Sequence, residues 1–98
     1  MEVCFLDDRF DRLETDASYT AGFSQDIVRM FRRRMQFIRS AVDERDIREM
    51  KSFHFEKLSG SRKHQHSIRL NDQFRLIVEI TRHSSKKALA IVGIEDYH

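Results

Sequence analysis

Apolar residues in this chain change their spacing once, and that change restricts the fold more than any other feature. Ile27, Met30, Phe31, Met35, Ile38 and Val42 recur every three or four positions. They form one stripe, the pattern of a helix of about four to five turns with a single buried side. After Met50 the period drops towards two. Between Gln65 and Asn71, His66, Ile68 and Leu70 face one way, while Gln65, Ser67, Arg69 and Asn71 face the other. Phe74, Leu76, Val78 and Ile80 then alternate with Arg75, Ile77 and Glu79, and Ala88 to Ile94 is almost wholly apolar, as in a central strand buried on both faces. Helices followed by strands place the helices on one face of a mainly antiparallel sheet, an α+β fold.

Val3 to Leu6 has the length of a short strand, and Phe10 and Leu13 suit one or two helical turns. Thr15 to Gly22 is a small-residue connection. Ser24 is a plausible N-cap, with Asp26 in the first turn near the positive end of the helix dipole. Asp43 caps a second helix through Met50, with Ile47 and Met50 inward. Phe53 to Leu58 reads as a strand entering the turn Ser59-Gly60-Ser61, and Asn71-Asp72-Gln73 and Arg82 to Lys87 read as hairpin connections. The expected order is β-α-α-β-β-β-β: two to three N-terminal helices on a sheet of four to five strands. With 98 residues, no Pro and no repeat, residues 1–98 are expected to form one domain.

The net charge of +2 conceals a gradient. Residues 1–26 carry two basic and seven acidic side chains, residues 27–53 eight and four, and residues 54–98 eight and five. All five histidines follow residue 53. An acidic opening and a basic, histidine-rich remainder suit an anionic ligand on one face. Arg32, Arg33, Arg34 and Arg39 lie off the helical stripe; a solvated helix face is their default reading, with RNA or an acidic partner protein as alternatives. Cys4 is the only cysteine, which excludes an intrachain disulfide and a cysteine-based zinc site. The opening residues lack the apolar core of a signal peptide, and no apolar run approaches the ~20 residues of a membrane span. A cytoplasmic location without membrane attachment is the expectation.

The chemistry concentrates between Phe55 and Arg75. Arg69 and Arg75 flank one hairpin connection on a polar face, a geometry suited to clamping a phosphate. Alone they read as surface arginines balanced by Glu79 and Asp72. The last three residues, Asp96, Tyr97 and His98, shift that reading. If the final strand lies beside the Arg75 strand, they bring an acid–base set to the two cations. Such a set cleaves RNA without metal by activating the ribose 2′-OH, leaving a cyclic phosphate and a free 5′-OH, while the arginines stabilise the extra charge on phosphorus. Lys57, Arg62, Lys63, His64 and His66 add candidate RNA contacts. His64 and His66 share a strand face, but no third ligand stands at metal-binding spacing, so no metal is expected. No glycine-rich phosphate loop, nucleophile elbow or zinc-binding helix motif is present, and no cofactor is implied.

Phe55-Glu-Lys-Leu-Ser-Gly60, Ser67-Ile-Arg-Leu-Asn-Asp-Gln-Phe-Arg75 and Ile94-Glu-Asp-Tyr-His98 together resemble the HigB toxins of the RelE/ParE superfamily. The resemblance covers the C-terminal half closely and the helical half in layout. It implies a small RelE-like domain, the toxin of a type II toxin–antitoxin system. It further implies a ribosome-dependent mRNA endoribonuclease that cuts the codon in the A site and inhibits translation. A HigA-type antitoxin with a helix-turn-helix domain would hold it inactive, and the complex would bind operator DNA through the antitoxin. Carried over by residue, Arg69 and Arg75 match the family's strand arginines, and Asp96, Tyr97 and His98 its terminal triplet. Some members carry a histidine in a Leu-His-x-Leu-x-Gly pattern where this chain has Glu56, which leaves Glu56 and His98 as rival general bases. A gyrase-inhibiting toxin of the ParE branch, or a module that binds only antitoxin and operator, are the alternatives; the terminal Asp-Tyr-His argues against the first, and the intact arginine and Tyr-His positions against the second.

Overall fold

The structure is a computed structural model that describes residues 1–83 and 85–96, excepting the side chain of His83. Its elements are β1 (Glu2–Phe5), α1 (Asp8–Thr15), α2 (Gln25–Ser40), α3 (Glu44–Glu49), β2 (Glu56–Lys57), β3 (Gln65–Arg69), β4 (Phe74–His83) and β5 (Lys86–Asp96). Short 3-10 turns, Lys51–Phe53 and Gly60–Arg62, precede β2 and β3. The sheet runs β1-β5-β4-β3-β2; β1 lies parallel to β5, and every other neighbouring pair is antiparallel. The α+β architecture expected from the change of period is the one observed.

Each helix begins at a side-chain cap. Asp7, Ser24 and Asp43 accept hydrogen bonds from the backbone N–H groups of Arg9, Ile27 and Arg45, which satisfies donors that the first helical turn leaves open. The stripe of α2 buries Ile27, Phe31, Met35 and Ile38 against Ile68, Leu76, Val78, Leu89 and Ile91 of the sheet and against Phe10 and Leu13 of α1. Two apolar residues fall outside this core, contrary to expectation. Helix α2 ends at Ser40, so Val42 leaves the stripe and is 82% exposed. Helix α3 stops at Glu49, leaving Met50 at its extended C-cap, 37% exposed.

The strand expected over Phe53–Leu58 shrinks to Glu56–Lys57. Phe53 closes a 3-10 turn, and His54 follows it in the left-handed region at φ 45°, ψ 54°, which breaks an extended run. Conversely, the connection expected from Arg82 to Lys87 is mostly strand: Arg82 pairs with Lys87 and His83 with Lys86. A register shift between Ile77 and Val78 moves the partner from Gly93 to Ile91. This irregularity lets Ile91 and Ile94, three positions apart, both pack towards the helices. It also sets Glu95 directly opposite Arg75.

Arg32 and Arg34, read by default as a solvated helix face, are structural cross-links. Arg32 donates from Nε to the Leu13 carbonyl at 3.0 Å and from one Nη to the carbonyls of Asp16 at 2.9 Å and Tyr19 at 3.3 Å. It thereby ties the connection after α1 to α2. Arg34 donates to the Arg69 carbonyl at 3.0 Å and lies 4.2 Å over the Phe53 ring. Arg33 between them remains exposed.

Candidate active site

The sheet face away from the helices is polar because β3 and β4 alternate in step. Gln65 pairs with Glu79, Ser67 with Ile77 and Arg69 with Arg75. Since Ile68, Leu76 and Val78 fill the core, these intervening residues take the opposite face, on which Ser67 and Ile77 are themselves buried. Arg69 and Arg75 are therefore direct cross-strand partners on the open face, at the end of the hairpin. Like charges directly opposite one another are unfavourable in a sheet, and here Asp72 contacts Arg69 while Glu95 stands opposite Arg75.

The hairpin connection holds that end rigid. The Asn71 side chain accepts from the N–H of Gln73 at 2.8 Å and of Phe74 at 2.7 Å. The N–H of Leu70 and of Asn71 both donate to the Phe74 carbonyl. On the far side of β3, Glu56 pairs with Ser67, which brings the carboxylate onto the same face. The result is a cleft of about 210 Å³ lined by His54, Glu56, Ser67, Arg69, Asn71, Asp72 and Arg75. Ser67, only 3% exposed, accepts from Arg75 Nη1 at 3.4 Å, and Arg69 contacts the Asp72 carboxylate. Arg34 stands behind this wall. Burial, with Arg69 and Arg33 adding repulsion, lowers its guanidinium below the ordinary arginine range.

Of the candidate catalytic residues, the fold thus brings Glu56, Arg69 and Arg75 together. Asp96 lies opposite Phe74 at the end of β5, so by alternation it shares the Phe74 side of the sheet; its carboxylate accepts from the Gln73 side chain at 3.2 Å. Tyr97 and His98 lie outside the described residues. The candidate RNA contacts divide. Arg62 reaches across the open face, bonding Gln65 at 2.9 Å and both carboxylate oxygens of Glu95 at 2.9 and 2.7 Å. Lys63 is exposed beside it, and His64 lies 3.7 Å from Glu79. Lys57 and His66 are cross-strand partners on the other face, where His66 stacks on Phe55 at 4.7 Å. Burial, with Arg48 and Lys57 nearby, keeps His66 below the usual histidine value.

His54, Ser67, Asn71 and Asp72 were not singled out from the sequence as site residues. Ser67 alternates with Arg69 within β3, so the two-residue period was a usable signal for it; His54 precedes β2 in a left-handed conformation, and strand periodicity gave no signal for it. Among the described residues, no group of three or more His, Cys, Asp or Glu is placed to hold a metal ion.

Residues 4–97 match the family described as the HigB-like toxin, a RelE-like toxin of the type II toxin–antitoxin system HigB. The chain belongs to the HigB-like toxins. A solved YoeB/ParE toxin from Agrobacterium tumefaciens shares the fold at a TM-score of 0.57 and 15% identity, with all of each chain covered. No curated protein matches the sequence. Membership in this family makes an antitoxin a partner of the toxin. No helix among the described residues is long and apolar enough to cross a membrane.

Proposed function

We propose that this HigB-like toxin is an mRNA endoribonuclease that acts in the cytoplasm on the codon in the ribosomal A site, without a metal ion. The observation that carries the reading is the cleft in which Glu56 faces the cross-strand pair Arg69 and Arg75. Two fixed guanidiniums suit a phosphate that gains charge as it becomes pentacoordinate, and they supply that charge where other nucleases use a cation. Glu56 takes the proton of the ribose 2′-OH. The 2′ oxygen then bonds to phosphorus, the bond to the 5′ oxygen breaks, and the products are a 2′,3′-cyclic phosphate and a 5′-OH end. Asp96 ends the strand that pairs with Arg75, on the Phe74 side of the sheet, and Asp96, Tyr97 and His98 are the residues the family resemblance adds to this set. Lys63 and Arg62 extend the basic surface along the path of the RNA backbone, while Lys57 and His66 lie on the opposite side of the sheet.

Residues 1–98 act in this reading as one domain held inactive by a HigA-type helix-turn-helix antitoxin, through which the complex reaches operator DNA. The test is primer extension on an mRNA in reconstituted translation, with Arg75→Ala and a ribosome-free lane. In-frame cuts that need both ribosomes and Arg75 are expected, with the variant slower by about 10²–10³-fold, as for loss of one charge-stabilising donor. Growth arrest without cuts would transfer the toxin to the gyrase-inhibiting class.

A further inference from the structure

Cleavage by 2′-OH attack needs a second proton transfer, because an alkoxide is a poor leaving group. We propose that His54 is the proton donor to the leaving 5′ oxygen, an inference that rests on the endoribonuclease reading above. The geometry points there in three ways. His54 lines the cleft together with Glu56, Ser67, Arg69 and Arg75. It does so from a left-handed backbone, φ 45° and ψ 54°, that residues other than glycine adopt at a cost and keep only where the surroundings impose it. The surroundings do impose it. The His54 N–H donates to the Lys51 carbonyl at 3.2 Å. Phe53, 3% exposed, packs edge-on against Phe37 at 5.0 Å and lies under the Arg34 guanidinium. An anchored turn thus places His54, an exposed residue, at the wall of the cleft.

The roles follow from the chemistry of the two groups. A carboxylate accepts a proton at neutral pH, and an imidazolium can release one. Glu56 accepts the proton of the 2′-OH as the bond from that oxygen to phosphorus forms. The electron pair of the breaking bond passes to the 5′ oxygen, which takes the imidazolium proton of His54. Protonated Glu56 and neutral His54 then re-exchange with water. The charged groups that share the turn or the cleft with His54 are Lys51 on its own turn, Arg34 of α2 over Phe53, Glu56 on β2, Arg69 on β3, Asp72 in the hairpin and Arg75 on β4.

His54→Asn is the variant to use, since asparagine tolerates the left-handed region. Its cleavage is measured in reconstituted translation on two mRNAs, one natural and one with sulfur replacing the bridging 5′ oxygen at the cut bond. A thiolate leaves without a proton. On the natural mRNA the variant should be slower by about 10²-fold or more. On the sulfur-substituted mRNA it should lie within a few-fold of wild type, and wild type should lose the alkaline limb of its pH–rate profile there. Equal losses on both mRNAs, or no loss on either, would overturn the assignment of His54 while leaving the endoribonuclease reading intact. A wild-type protein that cuts neither mRNA would overturn both.

Discussion

Replacing Arg34 with methionine separates the scaffold's stability from the geometry of the cleft. Methionine keeps an unbranched stem over Phe53 but removes the charge and the bond to the Arg69 carbonyl. That bond is worth ~1–2 kcal/mol at a partly exposed position. Stacking of a cation on Phe53 is worth ~0.5–1 kcal/mol, of which a thioether over the ring recovers part. Against these losses stands relief: burial, Arg69 and Arg33 all disfavour the charged form of Arg34 in the fold. The net destabilisation should be only ~1 kcal/mol, a fall in Tm of ~4–8 °C. Cleavage should suffer more. With the Arg69 carbonyl released and the turn before His54 loosened, two walls of the cleft shift, and misplacement of about 1 Å can cost 10²-fold. Urea unfolding measures the first quantity, and single-turnover cleavage on programmed ribosomes the second. A variant that loses ~1 kcal/mol yet cuts at the wild-type rate would refute the claim that Arg34 holds the cleft.

Arg32→Met should cost more stability, ~2–3 kcal/mol in urea unfolding, because three carbonyls lose one charged donor; the effect should appear as faster proteolysis between Asp16 and Phe23. His66 predicts a pH dependence. Its folded-state value lies below 6.5, so its contribution to stability is complete above pH 6.5 and is lost as pH falls through the lower folded value. His66→Phe should remove that loss and, by eliminating the buried, unbonded Nδ1, add ~1 kcal/mol at pH 7. A further decline common to both proteins should follow between pH 3.8 and about 2, where Asp43, held down by its bonds to Arg45, becomes protonated.

Local pattern settled much of this protein. The apolar stripe of α2, the caps Ser24 and Asp43, and the two-residue alternation of β3 and β4 are short-range consequences of helix and strand geometry, legible without any partner. The same alternation put Arg69 and Arg75 on one face and across one hairpin. The family resemblance added Glu56, which the pairing with Ser67 then carried into the cleft. The tertiary structure decided which side chains meet over long sequence separations. Arg62 meets Glu95 only because β4 lies between β3 and β5 with a one-residue register shift, and nothing local encodes that shift. Arg32 and Arg34 became cross-links because carbonyls left open at the end of α1 and of β3 fell within their reach. His54 entered the cleft through its own left-handed conformation, uncommon outside glycine, which burial of Phe53 and the bond to Lys51 hold in place. Periodicity records which face a residue occupies; only the packed chain determines what it finds there.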